Sequence, residues 1–250
     1  MEAGTPAPAA PSGRIDVGKV VSETFSIYGA QAGALLGSAA VIFLVVGLLQ
    51  GLAAASGGVA LALLASIIGI IGSTLYGGFV VKLVEDVRDG RRDDTVGDLL
   101  RSAAGFIWPL LGNGILKGIA VAIGLVLLIV PGLFLLTIWA VTGPAIVVER
   151  RGAIDAFGRS RELVKGDGWP VFGVILIVFI IGILISILTG AIGAAFGDGG
   201  RIVFSVIGSI IAAPITALAS AVLFFDLGGG GPQAPAPVGE PVTAPPTPGT

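Results

Sequence analysis

The chain has 250 residues, of which 54% are hydrophobic and only 12% charged, with a formal net charge of −2. A soluble domain carries about a quarter of its residues as charges, so this chain cannot cover a water-facing surface and most of its outside must meet lipid. It has no Cys and no His, which excludes disulfides, thiolate nucleophiles, Fe–S clusters and Cys/His metal sites, and removes the commonest general base.

Residues 1–13, MEAGTPAPAAPSG, are rich in Pro and Ala and lack the basic start and apolar run of a signal peptide, so they are expected to form a disordered tail. From Asp16, DVGKVVSETFSIYG places Val17, Val20, Val21, Thr24, Phe25, Ile27 and Tyr28 on one helical face. Lys19, Ser22, Glu23 and Ser26 fall opposite, the pattern of a helix lying in the membrane interface. Two apolar runs follow, 31–54 and 59–81, each long enough for the about 20 residues that cross a bilayer core. Gly33/Gly37 and Gly47/Gly51 in the first, and Ala65, Gly69, Ser73 and Gly77 in the second, make small-residue ridges that let helices approach closely in lipid. Packing within one chain is the expected use; nothing in the sequence supports a homo-oligomer.

The next connection holds Glu85, Asp86, Asp89, Asp93 and Asp94 interleaved with Arg88, Arg91 and Arg92, which reads as a solvated ion-pair loop rather than a cation site. TVGDLLRSAAGFIWP then spaces Val96, Leu99, Leu100, Ala103 and Ile107 helically, with Thr95 and Asp98 forming a capping pattern. Runs 108–130 and 133–148 are expected to be joined as a tight hairpin by the breaker Pro131-Gly132. The third run contains Lys117, with Asn113 one turn earlier and another small pair, Gly114/Gly118. Two readings stand for Lys117. Either the span begins near Gly118 and the lysine snorkels outward, or Asn113 and Lys117 form a polar spot in the bundle, with Gln50 or Thr142, that holds a head group or solute. Pro144 and Pro214 are expected to bend the fourth and sixth spans.

In GAIDAFGRSRELVKGDGWP, residues 152–170, a helix from Ala153 puts Ala153, Ile154, Ala156, Phe157, Ser160, Leu163 and Val164 on one half of the wheel. Asp155, Gly158, Arg159, Glu162 and Lys165 take the other half, while Arg161 falls inside the apolar arc. That arginine is expected either to snorkel to head groups or to pair with Glu149 or a bound anionic lipid. Lys165-Gly166-Asp167-Gly168 ends the helix, and Trp169-Pro170 opens the fifth run, 169–189, followed by the sixth, 202–225. Gly208, Ala212, Thr216 and Ser220 form a last small-residue ridge. The sequences GDGG at 197–200 and GGGG at 228–231 lack the strand–turn–helix setting of a phosphate loop, and both read as turns or linker. Residues 227–250 are expected to be a disordered tail.

The expected architecture is therefore an all-α integral membrane bundle, 14–226, of about six transmembrane helices with three interfacial amphipathic helices. VGKVV and VGDLL align without gaps, so the chain reads as three units of interfacial helix plus hairpin. Basic residues gather before span one, between spans two and three and between four and five, while only Arg201 lies in the other connections. That asymmetry predicts a cell (inner) membrane protein with both termini cytoplasmic.

Residues 129–177 combine Pro131-Gly132, Pro144 followed by Glu149, Ala156 with Ser160, and Lys165-Gly166 before Trp169. This run, together with the opening segment ending at Tyr28, resembles a bacterial family of multi-span proteins whose relatives include the membrane domain attached to some glycerophosphodiester phosphodiesterases. The resemblance implies a helical membrane protein without an activity of its own, because phosphodiester chemistry belongs to a separate soluble domain. The functional expectation is a non-enzymatic protein that binds lipid, anionic lipid in particular, or partner membrane proteins at the cytoplasmic face. Its binding candidates are Asn113, Lys117, Glu149, Arg159, Arg161 and Lys165, with no cofactor and no metal. A small-solute or lipid transporter is the alternative, and an intramembrane lipid enzyme the remote one. Nothing basic enough to bind nucleic acid is present.

Overall fold

A computed structural model describes residues 15–90 and 95–230; the predicted tail 1–13, Arg91, Arg92, Asp93, Asp94 and residues 231–250 lie outside them. Among the described residues six helical segments are long and apolar enough to cross a membrane. They are α2 (Ala32–Ser56), α3 (Val59–Asp89), α5 (Ile107–Leu127), the pair α6 (Ile129–Ile138) and α7 (Thr142–Val148) taken together, α9 (Gly168–Ala194) and α10 (Gly197–Asp226). Three shorter helices, α1 (Val17–Ala30), α4 (Val96–Ala104) and α8 (Asp155–Val164), each precede one hairpin of spans.

The caps explain where the short helices start. Asp16 accepts the backbone N–H of Lys19 at 3.1 Å, and Thr95 accepts that of Asp98 at 3.3 Å while its hydroxyl donates to the Asp98 carboxylate at 2.6 Å. Their apolar stripes turn toward the bundle: Val20, Thr24 and Ile27 of α1, Leu99 and Ala103 of α4, and Ala156, Ser160 and Val164 of α8 are all buried. These helices thus roof one end of the spans, and most of the core lies beneath them, built on Leu35, Phe79, Val84, Ile146, Leu218 and Phe224. At the other end the apolar side chains face outward, with Val59, Val126, Val130 and Leu188 at least 63% exposed, as lipid-facing surface requires.

Several boundaries differ from the sequence-based expectation. Helix α3 continues past residue 81 to Asp89 because Leu83 and Val84 still find a core, Lys82 pairs with Glu85 at 2.7 Å, and Arg88 bridges Glu23 at 2.6 Å and Asp226 at 2.9 Å. The turn between the third and fourth spans falls at Leu128, not at Pro131-Gly132. Pro131 sits in the first turn of α6, where its missing N–H has no helical partner to lose. Gly132 lets α6 close on α5: a Cβ on Gly124 would stand 3.0 Å from the Gly132 backbone. The segment GDGG is no linker but the first turn of α10, with Asp198 at the N-terminus where the helix dipole favours an acid. Leu227–Gly230 folds back as turns, with the Gly229 N–H on Phe224 O at 2.9 Å.

The small-residue ridges split in use. Gly47 meets Val206 of α10, and Gly69 and Gly72 meet Val46 and Ile42 of α2, so these pack spans together. Gly33, Gly37 and Gly118 have no neighbour within 4 Å and face outward, while Gly114, also without a close neighbour, borders a cavity shared with α3, α7 and α10.

Candidate functional site

The fourth span is broken. Between α6 and α7, Trp139 and Val141 leave helical geometry, with φ/ψ of −110°/22° and −112°/20°. The cause is written in the sequence: Pro144 lacks an N–H, and its ring crowds the carbonyl four residues back, that of Ala140. Pro144 therefore does not bend a continuous helix; it opens α7 after an interruption. A freed carbonyl away from water is costly unless it finds a donor. Three consecutive ones do, each from a different helix. Ser160 Oγ of α8 donates to Ile138 O at 2.9 Å, Lys117 Nζ of α5 to Trp139 O at 2.6 Å, and Ser220 Oγ of α10 to Ala140 O at 3.0 Å. Ser160 also accepts the Val141 N–H at 3.3 Å, and the Thr142 hydroxyl reaches Trp139 O at 3.4 Å.

Lys117 lies midway along α5, which begins ten residues earlier at Ile107 with Pro109 in its first turn. It does not snorkel out at a span end, so that expectation fails. The structure brings Lys117 together with one of the two polar partners named for it. Thr142 shares the Trp139 carbonyl with Lys117, whereas Gln50 lines separate cavities between α2, α3 and α10. Asn113, buried, donates from Nδ2 to Ala153 O at 2.8 Å and so ties α5 to the chain entering α8. Among the described residues no carboxylate pairs with Lys117; its one hydrogen-bond partner is the Trp139 carbonyl.

Two cavities meet at this lysine. One, of about 250 Å³, includes Asn113, Thr142 and Pro144. The other is a groove of about 760 Å³ walled by α9 and α10, with Val178, Phe179, Gly182, Ala212, Thr216 and Ala219 among its lining. Lys117, Ala140 and Ser220 line both. The ridge expected to pack the sixth span is thus divided: Gly208 packs on Thr189, while Ala212, Thr216 and Ser220 leave room for the groove.

Beyond the break, Glu149 caps α7 with its side chain only 3% exposed. Arg159 meets it bidentately, Nε to Oε2 at 2.8 Å and Nη2 to Oε1 at 2.8 Å, Arg151 Nε adds a contact at 3.2 Å, and the Gly230 N–H lies 3.4 Å from Oε1. Burial pushes the Glu149 carboxyl up, but the hydrogen bond and charge of Arg159, with the Gly230 and Arg151 contacts, outweigh it and hold the group below the usual carboxylate range. The arginine that pairs with Glu149 is therefore Arg159, not Arg161. Helix α8 begins at Asp155, so Ile154 (74% exposed) no longer widens the apolar arc, and Arg161 falls outside the buried stripe. Arg159 and Arg161 stand on opposite rims of that stripe, and only one rim faces α7.

Arg161 and Lys165 are exposed and, like Arg150, form no ion pair with a described carboxylate. Trp108 and Trp169 open α5 and α9 at the same end of the bundle, 79% and 84% exposed. Gly166, at φ 102°, makes the left-handed turn out of α8, and half-buried Tyr28 packs α1 on the core. The contributions of Ser220, Arg151 and Gly230 were not foreseen. The one advance signal for Ser220 was Pro144, which orphans a carbonyl and so demands a donor from elsewhere. Among the described residues no cluster of Asp and Glu is placed to hold a metal.

Comparison with curated proteins and with solved structures finds no match. Residues 95–237, more than half of the chain and nearly all of the structure just described from α4 onward, match a family described as a domain of unknown function, DUF7847. That match carries no link to the membrane domain of glycerophosphodiester phosphodiesterases. The broken fourth span, its three side-chain donors and the clamped glutamate all fall inside the matched region, and the chain belongs to the DUF7847 family.

Proposed function

We propose that this is a non-enzymatic, multi-pass protein of the cell membrane, with both termini cytoplasmic, that binds anionic lipid at the face roofed by α1, α4 and α8. The observation that carries this reading is the pair Arg161 and Lys165. Arg161 lies in the last turn of α8 and Lys165 is its C-cap, both exposed and free of ion pairs to described carboxylates, and exposed Trp169 opens α9 just after the Gly166 turn. Each such cation near an anionic surface contributes about 1 kcal/mol. Arg159 does not belong to this set, since Glu149 holds it. The likeness to the phosphodiesterase-attached membrane domain rests on the 129–177 motifs and the opening segment ending at Tyr28, and stays part of this proposal.

Native mass spectrometry of the protein released from nanodiscs with and without phosphatidylglycerol tests the reading. Retained phosphatidylglycerol that is lost in an Arg161→Ala/Lys165→Ala double variant supports it; equal retention by variant and parent overturns it. A second reading, transport of a small solute, draws support from Lys117, Ala140 and Ser220 lining two cavities at once. Solute flux into liposomes that Lys117→Ala abolishes would favour it.

A further inference from the structure

We infer that the groove walled by α9 and α10 on one side and by Lys117 of α5 and Leu136 of α6 on the other is a binding site for a single-chain carboxylate amphiphile, a long-chain fatty acid, whose carboxylate pairs with Lys117. An ammonium has three N–H donors, and Lys117 commits one of them, to Trp139 O at 2.6 Å. Among the described residues no acid neutralises it, although it stands midway along a span, where a lone cation is costly and calls for an anionic partner. It lines a groove of about 760 Å³ whose remaining walls are apolar or small. On α9 the groove runs from Val174 to Ile187, about 20 Å of helix at 1.5 Å per residue, enough for an extended acyl chain.

The polar inventory selects the head group. The hydroxyls that line the groove are engaged: Ser220 donates to Ala140 O at 3.0 Å, Ser186 to Gly182 O at 2.9 Å and Thr216 to Ala212 O at 3.4 Å. Lys117 therefore supplies the charge and the spare donors together. A carboxylate, with one charge and two oxygens, can be satisfied by that donor set. A phosphodiester carrying a glycerol or sugar head would leave polar groups unpaired at this depth. The occupant is accordingly a fatty acid rather than a phospholipid. The site is separate from the Arg161/Lys165 face and does not depend on it.

The test uses the full chain in nanodiscs, titrated with palmitate, with hexadecanol as the uncharged control and phosphatidylglycerol as competitor. Palmitate should bind, hexadecanol should bind about tenfold or more weakly, and phosphatidylglycerol should not displace palmitate. Lys117→Gln should weaken palmitate by a similar factor. Because that variant also touches the cap on Trp139 O, Gly182→Leu provides a second arm. A Cβ on Gly182 meets nothing within 4 Å, so leucine there fills the groove without disturbing Lys117, and it should abolish palmitate binding while leaving thermal unfolding unchanged. Palmitate affinity unaltered by Gly182→Leu, hexadecanol binding as tightly as palmitate, or displacement by phosphatidylglycerol would each overturn the assignment. Arg161→Ala/Lys165→Ala should leave palmitate binding intact.

Discussion

Pro144 and Pro214 lie in neighbouring spans and meet different fates. At Pro144 the helix stops for three residues and restarts; at Pro214, buried inside α10, the helix runs on from Gly197 to Asp226. Both remove a backbone donor, so the proline alone does not decide. The difference is what waits around the orphaned carbonyls. Near Pro144 stand Ser160, Lys117 and Ser220, each on a separate helix and each already bonded to one carbonyl of the break. Opening the ladder there exchanges backbone bonds for side-chain bonds at little net loss, whereas α10 keeps its remaining ladder and packs Ile215 and Leu218 into the core. The broken span is thus a joint property of a proline and of three helices that supply donors.

The largest expected effect comes from the residue holding α7 after the break. Glu149→Ala should destabilise the protein by about 3 kcal/mol, as breaking a buried ion pair does, measured by denaturant unfolding in mixed micelles. The effect should depend on pH in one direction. A carboxyl held low contributes its full stabilisation above its ordinary value of 4.5, and that contribution is lost as pH falls through the lower folded value. Glu149→Gln should therefore lose stability at neutral pH and narrow its gap to the parent protein on acidification. A gap that widens toward acid would show that the clamp does not hold the break.

Ser160→Ala comes next, at about 2 kcal/mol, because the fully buried hydroxyl serves both the Ile138 carbonyl and the Val141 N–H. Ser220→Ala should cost about 1 kcal/mol, one hydrogen bond on a half-buried group. The sharper measurement is the double-mutant cycle with Pro144→Ala, which restores the N–H that Ala140 O lacks. In that background the cost of Ser220→Ala should fall by at least about half. Additive costs would mean that the serine does not stand in for the missing N–H. The smallest effect belongs to the other proline. Pro144→Ala should slow amide hydrogen exchange at 141–143, and Pro214→Ala should leave exchange along α10 near the parent value, since its helix is already continuous. Equal slowing at both sites would remove the distinction between the two spans.

Much of this molecule was legible in one dimension. Unbroken apolar length marked the six spans, because a bilayer leaves no other option for backbone polar groups. Three-to-four-residue periodicity marked α1, α4 and α8, and side-chain oxygens at Asp16 and Thr95 marked where two of them begin. Such features are local, so residue order alone determines them. Which carbonyl Lys117 caps, whether Glu149 takes Arg159 or Arg161, and which small residues pack rather than line a groove depend on how helices distant in sequence come to lie side by side. The helical wheel set Arg161, inside the apolar arc, as the partner for Glu149 and left Arg159 on the polar half; the observed start of α8 at Asp155 puts them on opposite rims of the buried stripe, and α7 lies beside the Arg159 rim. Likewise Ala212, Thr216 and Ser220 continue the ridge that Gly208 begins, and they line a groove only because α5 and α6 stand off from α10 there. Side-chain spacing along a helix sets what each face can offer; tertiary packing decided which face was answered.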